Sequence, residues 1–369
     1  MRRSETYSCA IVGSHGYRAR YGGWDQLVNQ LVDRGSLLGK GFLVYNSRMT
    51  ATTPPPAGSR VVNFRIHAHG VSGMLFDAVS IIHAVFFTNT LLLLGAQGLP
   101  VALVIRLLFK RDLRIIVNPG GVEWERPKFN ALARWFLRYV YQLGARKADF
   151  FVLDNEHYLE FLPESIRSSD ISPVRVVPYG GDIDQSACVS KVKEALGVRF
   201  DRYYLSVSRA LEDNCIYELC DAFVKAPSAN LVLVSNLSSS EYGERVRRRF
   251  GDVPNIKLID SLYVKSELDA IRRGCHAYVH THTLCGSAPS LIEMIVCGKP
   301  IISIDVPQNR FTLKGQGLFF RSYDELGRIV SDGQRPDTPD EELRAGYSWD
   351  SIIRLYCGLL DDRSGRRGG

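Results

Sequence analysis

Residues 13–32, GSHGYRARYGGWDQLVNQLV, follow directly on the apolar run Ser8-Cys9-Ala10-Ile11-Val12. The run reads as a buried strand. Trp24, Leu27, Val28, Leu31 and Val32 then recur at i, i+3, i+4, i+7 and i+8, the spacing of one buried helix face. Between strand and helix stand Gly13, Gly16, Gly22 and Gly23, with Arg18 and Arg20 among them. Gly22 and Gly23 fall where the helix begins. The unbonded amides of a first helical turn, together with the helix dipole, make an anion site. Glycine there lets the backbone approach a ligand with no Cβ in the way. The spacing is not G-x-G-x-x-G, so the loop does not carry a dinucleotide fingerprint.

The strand–helix alternation continues. GFLVYN, RVVNFRI, TLLLL, RIIVN, DFFVLD and VRVVPYG read as further strands, a pattern that predicts an α/β architecture with a parallel sheet. Near Arg199 it restarts: YYLSVS, a helix through IYELCDAFVKA, NLVLVS, the basic helix EYGERVRRRF, IKLID, SELDAIRRG, AYVHTH, the helix PSLIEMIVCG and PIISID. A chain of 369 residues suits two such domains. The expected boundaries are 1–185, 186–345 and a final helix with a tail over 346–369. Two doubly wound units are expected to leave a cleft between the carboxyl ends of their sheets, where ligands of such folds bind.

Residues 78–105 hold no Asp, Glu, Lys or Arg, as a membrane span would. His83, Asn89, Gly95, Gln97 and Pro100 interrupt them, and they read instead as a helix over about 73–87, a buried strand and a helix over about 98–109. Hydrophobic content of 45% and charged content of 23% are those of a soluble globular protein. The net charge of +7 is concentrated: Arg106, Lys110, Arg111, Arg114, Arg126, Lys128, Arg134, Arg138, Arg146 and Lys147 crowd one window. That window suits a phosphorylated lipid, an anionic membrane or a nucleic acid, or is a solvated basic helix face. The eight cysteines form no C-x-x-C pair and several lie in apolar runs, as free thiols of a reducing compartment do. Residues 1–12 lack a signal-peptide core.

Residues 280–300, HTHTLCGSAPSLIEMIVCGKP, repeat the logic of the opening loop. A strand ends near His282, a small-residue turn of Gly286, Ser287 and Ala288 follows, and Pro289 takes a first-turn position that needs no N–H. Ser290 and Leu291 open the helix, and Glu293 lies one turn in, where a carboxylate accepts hydroxyls of a sugar or ribose. His280 and His282 point to one side of a strand end. With Cys285 they would make a metal site, but no fourth ligand stands at a suitable spacing, and hydrogen bonding to sugar or phosphate is the other reading. Arg209, at the end of YYLSVS, is placed for a diphosphate, since guanidinium binds phosphate oxygens as a planar fork. Asn309, Arg310 and Lys314 follow IISID. On the first domain, Asn118, Glu123 and Glu125 follow RIIVN, Glu123 being a candidate general base. Asp154, Asn155 and His157 follow DFFVLD.

Taken together, these stretches resemble a bacterial glycosyltransferase of the large retaining family four, with the GT-B fold, and most closely its rhamnosyltransferase-like branch. GSHGYRARYGGWDQLVNQLV is similar to G-[ST]-x-G-x-P-x-x-Y-G-G-[FW]-E. NPGGVEWERPKFNALARWFL is similar to N-x-D-G-x-E-W-x-R-x-K-W. GSAPSLIEMIVCGKPIISIDVPQNR is similar to G-T-N-P-S-L-x-E-A-M-x-x-G-x-P-V-I-x-x-D-x-x-x-N-R, and YSWDSIIRLY to the final Y-x-W-x-x-I helix. The resemblance implies two Rossmann-like domains facing across a cleft, the C-terminal helix crossing back to the first. It implies transfer of a sugar, rhamnose or a related hexose, from a deoxythymidine- or uridine-diphosphate donor to a saccharide or lipid-linked saccharide acceptor. The setting it implies is cytoplasmic synthesis of cell-surface polysaccharide, with no metal or other cofactor, no nucleic acid, and a peripheral contact with the inner membrane. By resemblance Arg209 meets the diphosphate, with Asn214, Arg310 and Lys314 near it. Residues 286–290 with His282 and Leu291 meet phosphate and sugar, Glu293 meets the ribose, and Gly22 and Gly23 close on the phosphates.

The chain departs from the family pattern at defined places. The Asp of N-x-D-G-x-E-W is Gly120, which puts the acceptor-side base in question and leaves Glu123. Of the family's two glutamates separated by seven residues only Glu293 remains, Cys285 standing at the other position. The Lys after the diphosphate Arg is absent, Asn214 lying near that place. Two alternatives accompany the transferase reading: a nucleotide-sugar epimerase or hydrolase on the same layout, and a catalytically silent nucleotide-sugar binding protein.

Overall fold

The structure is a computed structural model and describes residues 7–19, 22–48, 50, 53–125, 130–167, 173–284 and 286–362. Arg20, Arg126, Lys128 and Cys285 lie outside the described residues. The chain divides into two compact units, one of Met1–Tyr179 with Trp349–Gly369 and one of Gly180–Ser348.

The first unit runs β1 (Cys9–Val12), α1 (Gly23–Leu37), β2 (Phe42–Asn46), β3 (Arg60–Asn63), α2 (Gly70–Ala84), β4 (Thr90–Leu94), α3 (Leu99–Leu108), β5 (Arg114–Asn118), α4 (Ala131–Lys147), β6 (Phe150–Leu153), α5 (Glu164–Arg167) and β7 (Val174–Val176). Its seven strands are in the order β3-β2-β1-β4-β5-β6-β7, and every pairing is parallel. The central strands are buried on both faces, which is why TLLLL and RIIVN are continuous apolar runs. Phe76, Leu99, Ala102, Ile105, Val140 and Tyr141 cover one face from α2, α3 and α4.

The second unit runs α6 (Val189–Ala195), β8 (Tyr204–Val207), α7 (Ile216–Val224), β9 (Leu231–Ser235), α8 (Glu241–Phe250), β10 (Ile256–Asp260), α9 (Lys265–Gly274), β11 (Ala277–His280), α10 (Pro289–Val296), β12 (Ile301–Ile304), α11 (Pro307–Leu313), β13 (Leu318–Phe320), α12 (Tyr323–Ser331) and α13 (Glu341–Gly346). Its strands are in the order β10-β9-β8-β11-β12-β13, again all parallel. The sequence reading had not named β13, or α11 as a helix.

The last helix, α14 (Trp349–Asp361), belongs to the first unit. With Leu27, Val28, Leu31 and Val32 of α1, its Trp349, Ile352, Ile353 and Tyr356 cover the other face of the first sheet. The Arg114 guanidinium donates to the carbonyls of Leu359, Leu360 and Asp362, taking up helix-end acceptors that have no partner within the helix. No described helix is long and apolar enough to cross a membrane, so residues 78–105 are α2, β4 and α3. The described cysteines are free thiols.

Candidate active site

In each sheet the strand order reverses between two neighbours, β1 and β4 in the first unit and β8 and β11 in the second. Doubly wound folds bind ligands outside the carboxyl ends of the strands at such a point. The loops that the sequence singled out follow these strands: residues 13–22 after β1, residue 209 after β8 and residues 281–288 after β11.

The opening loop is built tightly. Gly13 has φ +100, and a Cβ there would lie 2.0 Å from the Leu94 carbonyl oxygen, so only glycine lets the loop cross the end of β4. The buried Asp25 carboxylate accepts from the His15 amide at 3.0 Å, and Asn29 Oδ1 accepts from the Arg18 amide at 2.6 Å. Arg18 spends its charge locally, on Asp33 at 3.0 Å. Gly22 is different. Its backbone is extended, a Cβ on it would face open space, and as the N-cap residue it brings no side-chain cap to α1. With Gly23 as its first residue, α1 presents a bare helix start.

The acceptor-side candidates separate into structural and available groups. Asn118 is 4% exposed, and both ends of its amide are engaged: Nδ2 donates to the Tyr356 hydroxyl at 2.7 Å, and Oδ1 accepts from the Gly120 amide at 2.9 Å. In the structure Asn118 holds α14 and the turn after β5. Gly120 has φ +71, and an added Cβ would lie 2.9 Å from Trp24 Cζ2. The indole of Trp24 thus fills the space beside the position where the family pattern has Asp. Glu123 is half-buried on a single 3-10 turn, lining a small pocket with Gln97, Pro119, Gly121 and Trp124. Asp154 follows β6, and its charge reaches the phenols of Tyr141 and Tyr356. Asn155 caps the next turn by accepting from the His157 amide at 2.9 Å, and His157 Nδ1 lies 3.5 Å from Glu160. Asn155 is a turn residue here.

In the second unit Arg209 is exposed, and its guanidinium makes no ion pair with a described residue. Its charge acts on His282. The rings of His280 and His282 lie 4.4 Å apart, both residues are buried, and none of their four ring nitrogens has a hydrogen-bond partner among the described residues. Burial first, and Arg209 second, pulls the His282 pKa down to about 4, so the ring is neutral at pH 7. Burial likewise holds His280 well below its ordinary value. The loops are laced together beneath: Thr281 Oγ1 donates to the Asn214 carbonyl at 2.6 Å, and Asn214 Nδ2 donates to the Arg209 carbonyl at 2.8 Å. Asn214 is buried with its amide turned inward, so the structure corrects it from a diphosphate ligand to a brace for the Arg209 loop.

The turn before α10 contains Gly286, Ser287 and Ala288, and Ala288 offers no side-chain cap ahead of Pro289. Pro289 has no N–H, and the amides of Leu291 and Ile292 donate to the Ala288 carbonyl. Leu291 is wholly buried and contributes to the core, which corrects its expected contact with the donor. Ser290 hydrogen bonds with the Tyr278 phenol. Glu293 accepts from the buried Arg272, whose other Nη donates to Asp269 at 2.7 Å. Asp269 in turn accepts from Lys265 at 2.6 Å and from the Asp184 amide at 2.8 Å. This network orients Glu293. The sequence reading missed Arg272, although Asp269 and Arg272 stand at the i, i+3 spacing of a helical ion pair.

Arg310 is committed elsewhere. It pairs with Asp305 through Nε and through Nη2 at 2.9 Å, lies 4.3 Å over the Phe319 ring, and holds the Asp305 carboxyl down to about 2. Arg310 thus meets Asp305 in the structure, as a surface ion pair. Lys314 is exposed, ends α11 at φ 47, and pairs with no described carboxylate. Beyond β9 and β10, Asn236, Ser238, Ser239, Asp260, Ser261 and Tyr263 line an open pocket of about 290 Å³. Among the described residues no three His, Cys, Asp or Glu side chains converge as metal ligands would.

Comparison with known proteins adds the following. Residues 45–182 match the family described as "Domain of unknown function (DUF1972)". No curated protein matches the sequence. Among solved structures, sucrose-phosphate synthase from Thermosynechococcus elongatus is similar at a TM-score of 0.72 and 18% identity, over 96% of this chain and 99% of that one. HepE from Anabaena, solved in complex with UDP and glucose, is similar at 0.68 and 15%, over 96% and 98%. The UDP-forming α,α-trehalose-phosphate synthase from Burkholderia xenovorans, solved with glucose-6-phosphate, is similar at 0.66 and 11%, over 96% and 99%. The two parallel sheets of this chain, seven and six strands, thus form the α/β GT-B fold of these structures.

Proposed function

We propose that this chain is a glycosyltransferase that moves a hexose, rhamnose or a relative of it, from a uridine- or deoxythymidine-diphosphate donor to a hydroxyl of a saccharide or lipid-linked saccharide. One observation carries the reading: Arg209, an exposed cation with no described ion-pair partner, stands beside the neutral His282 at the β8/β11 switch point. A diphosphate supplies the anion that this arrangement lacks, Arg209 taking it as a bidentate fork. The start of α10, with Gly286 and Ser287 before it, adds the positive end of a helix dipole. Glu293, fixed by Arg272, accepts ribose hydroxyls through its remaining oxygen. The pocket at Tyr263 takes the base. The similarity to a structure solved with UDP and glucose supports the donor class.

On the first unit, Glu123 is the carboxylate proposed to take the proton of the acceptor hydroxyl. The synthesis of cell-surface polysaccharide is the setting that the motif resemblance supports. The test is calorimetric titration with UDP and with deoxythymidine diphosphate. The unaltered protein binds at least one of them. Arg209→Ala loses that binding by about tenfold or more, the value of one charged hydrogen-bonded contact. Glu123→Gln retains binding and loses turnover. Failure of both nucleotides to bind the unaltered protein overturns the reading.

A further inference from the structure

The second sheet has another end, away from the loops of the candidate active site. Three of its neighbouring strands, β8, β11 and β12, start there side by side. Arg202 stands two residues before β8, His276 directly before β11 and Lys299 two residues before β12. The turn after α12 is pinned to the same place. The Arg202 guanidinium donates to the Gly333 carbonyl at 3.0 Å, and the Tyr204 phenol donates to the Gln334 carbonyl at 3.4 Å. Arg335 follows in that turn. A Cβ on Gly298 would lie 3.1 Å from Arg344 Cζ, which puts a further guanidinium beside Lys299.

The chemistry of this cluster is one-sided. Arg202 Nη2 donates to His276 Nε2 at 2.6 Å. A guanidinium has no acceptor, so the imidazole is the neutral form with its proton on Nδ1. Burial first, then the charges of Arg202, Arg335 and Lys299, pull the His276 pKa down to about 4. Asp201, Asp332 and Asp337 are near in sequence, yet Arg202, Lys299 and Arg335 form no ion pair with a described carboxylate. Three like charges thus converge on one neutral ring with no anion among them.

We propose that Arg202, His276, Lys299 and Arg335 bind a phosphate dianion, free or as a small monoester. The two guanidinium groups, the ammonium and the His276 Nδ1–H are all donors, and the first three carry the charge. A dianion with three acceptor oxygens matches them better than a carboxylate, which brings one charge and two oxygens. The site is separate from the diphosphate position at Arg209. Arg209 follows the carboxyl end of β8, and the four residues of that strand span about 13 Å.

The test follows the histidine Cε1–H resonances of the full chain by NMR, the His276 signal being identified by its loss in His276→Gln. Inorganic phosphate or glycerol 3-phosphate shifts that signal saturably, whereas chloride at matched ionic strength leaves it in place. Tighter binding of glycerol 3-phosphate gives the site to a monoester, and tighter binding of inorganic phosphate gives it to the free ion. Lys299→Gln and Arg335→Gln each weaken the binding about tenfold. Neither side chain is hydrogen bonded to a described residue, so without the anion both variants melt with the unaltered protein. Arg209→Ala retains the response. No response to either anion, an equal response to chloride, or an affinity unchanged in Lys299→Gln with Arg335→Gln overturns the proposal. A response lost in Arg209→Ala also overturns it, by assigning the anion to the opposite end of the sheet.

Discussion

Replacing Gly120 with Asp puts at the turn after β5 the residue of the sequence pattern that this stretch resembles, and the structure opposes it twice. The backbone there has φ +71, a region that costs an L-residue about 1 kcal/mol, with Asp among the better tolerated. The new Cβ would lie 2.9 Å from Trp24 Cζ2, and overpacking of this kind costs about 1–3 kcal/mol. Gly120→Asp should therefore destabilise the first unit by about 2–4 kcal/mol, lowering its calorimetric transition by roughly 4–16 °C for a unit of this size. Gly120→Ala separates the backbone cost from any effect of the carboxylate. Combining Gly120→Asp with Trp24→Ala removes the obstructing ring, so the double variant should be less destabilised than the sum of the singles by about 1–3 kcal/mol. A Gly120→Asp protein that melts with the unaltered one, or strict additivity in the cycle, refutes the account of why the carboxylate is missing.

The remaining expectations concern the second unit. His282 has a folded pKa of about 4 against an ordinary 6.5, so between those values the unfolded chain binds a proton that the folded chain does not. Its contribution is complete above pH 6.5 and lost as pH falls towards 4, roughly 3 kcal/mol in all. His282→Asn should flatten that part of the urea-midpoint profile, and superimposable pH profiles would disprove the neutral burial of His282. Arg272→Met leaves Asp269 and Glu293 without their shared cation and should cost about 3–5 kcal/mol in thermal or urea unfolding. An unchanged midpoint would show the network to be dispensable.

The strands were legible because central parallel strands bury both faces and so appear as unbroken apolar runs, as in TLLLL and RIIVN. At three residues, β13 is too short to show a pattern, and α11 begins at Pro307 within a stretch that also reads as a polar loop. Arg209 and the two glycine-bearing helix starts were readable because they follow strand ends directly. What escaped was pairing across the chain. Asn118 meets Tyr356 over 238 positions, and Glu293 meets Arg272 over 21, separations that no local period encodes. Arg310 and Asp305 are five apart, which is not a helical pairing distance, so the arginine looked available when its charge was already met.

The place of α14 has a consequence for how the protein is made. The second unit is one continuous stretch and is complete once Ser348 has been synthesised, but the first unit is split around it. Until the thirteen residues of α14 emerge, the face of the first sheet that Trp349, Ile352, Ile353 and Tyr356 will cover stays bare. The amino-terminal half must therefore wait, partly folded, through the synthesis of the other unit, and this is the interval in which exposed apolar surface invites aggregation or a chaperone. A chain ended before Trp349 would carry a finished second unit attached to an unfinished first one.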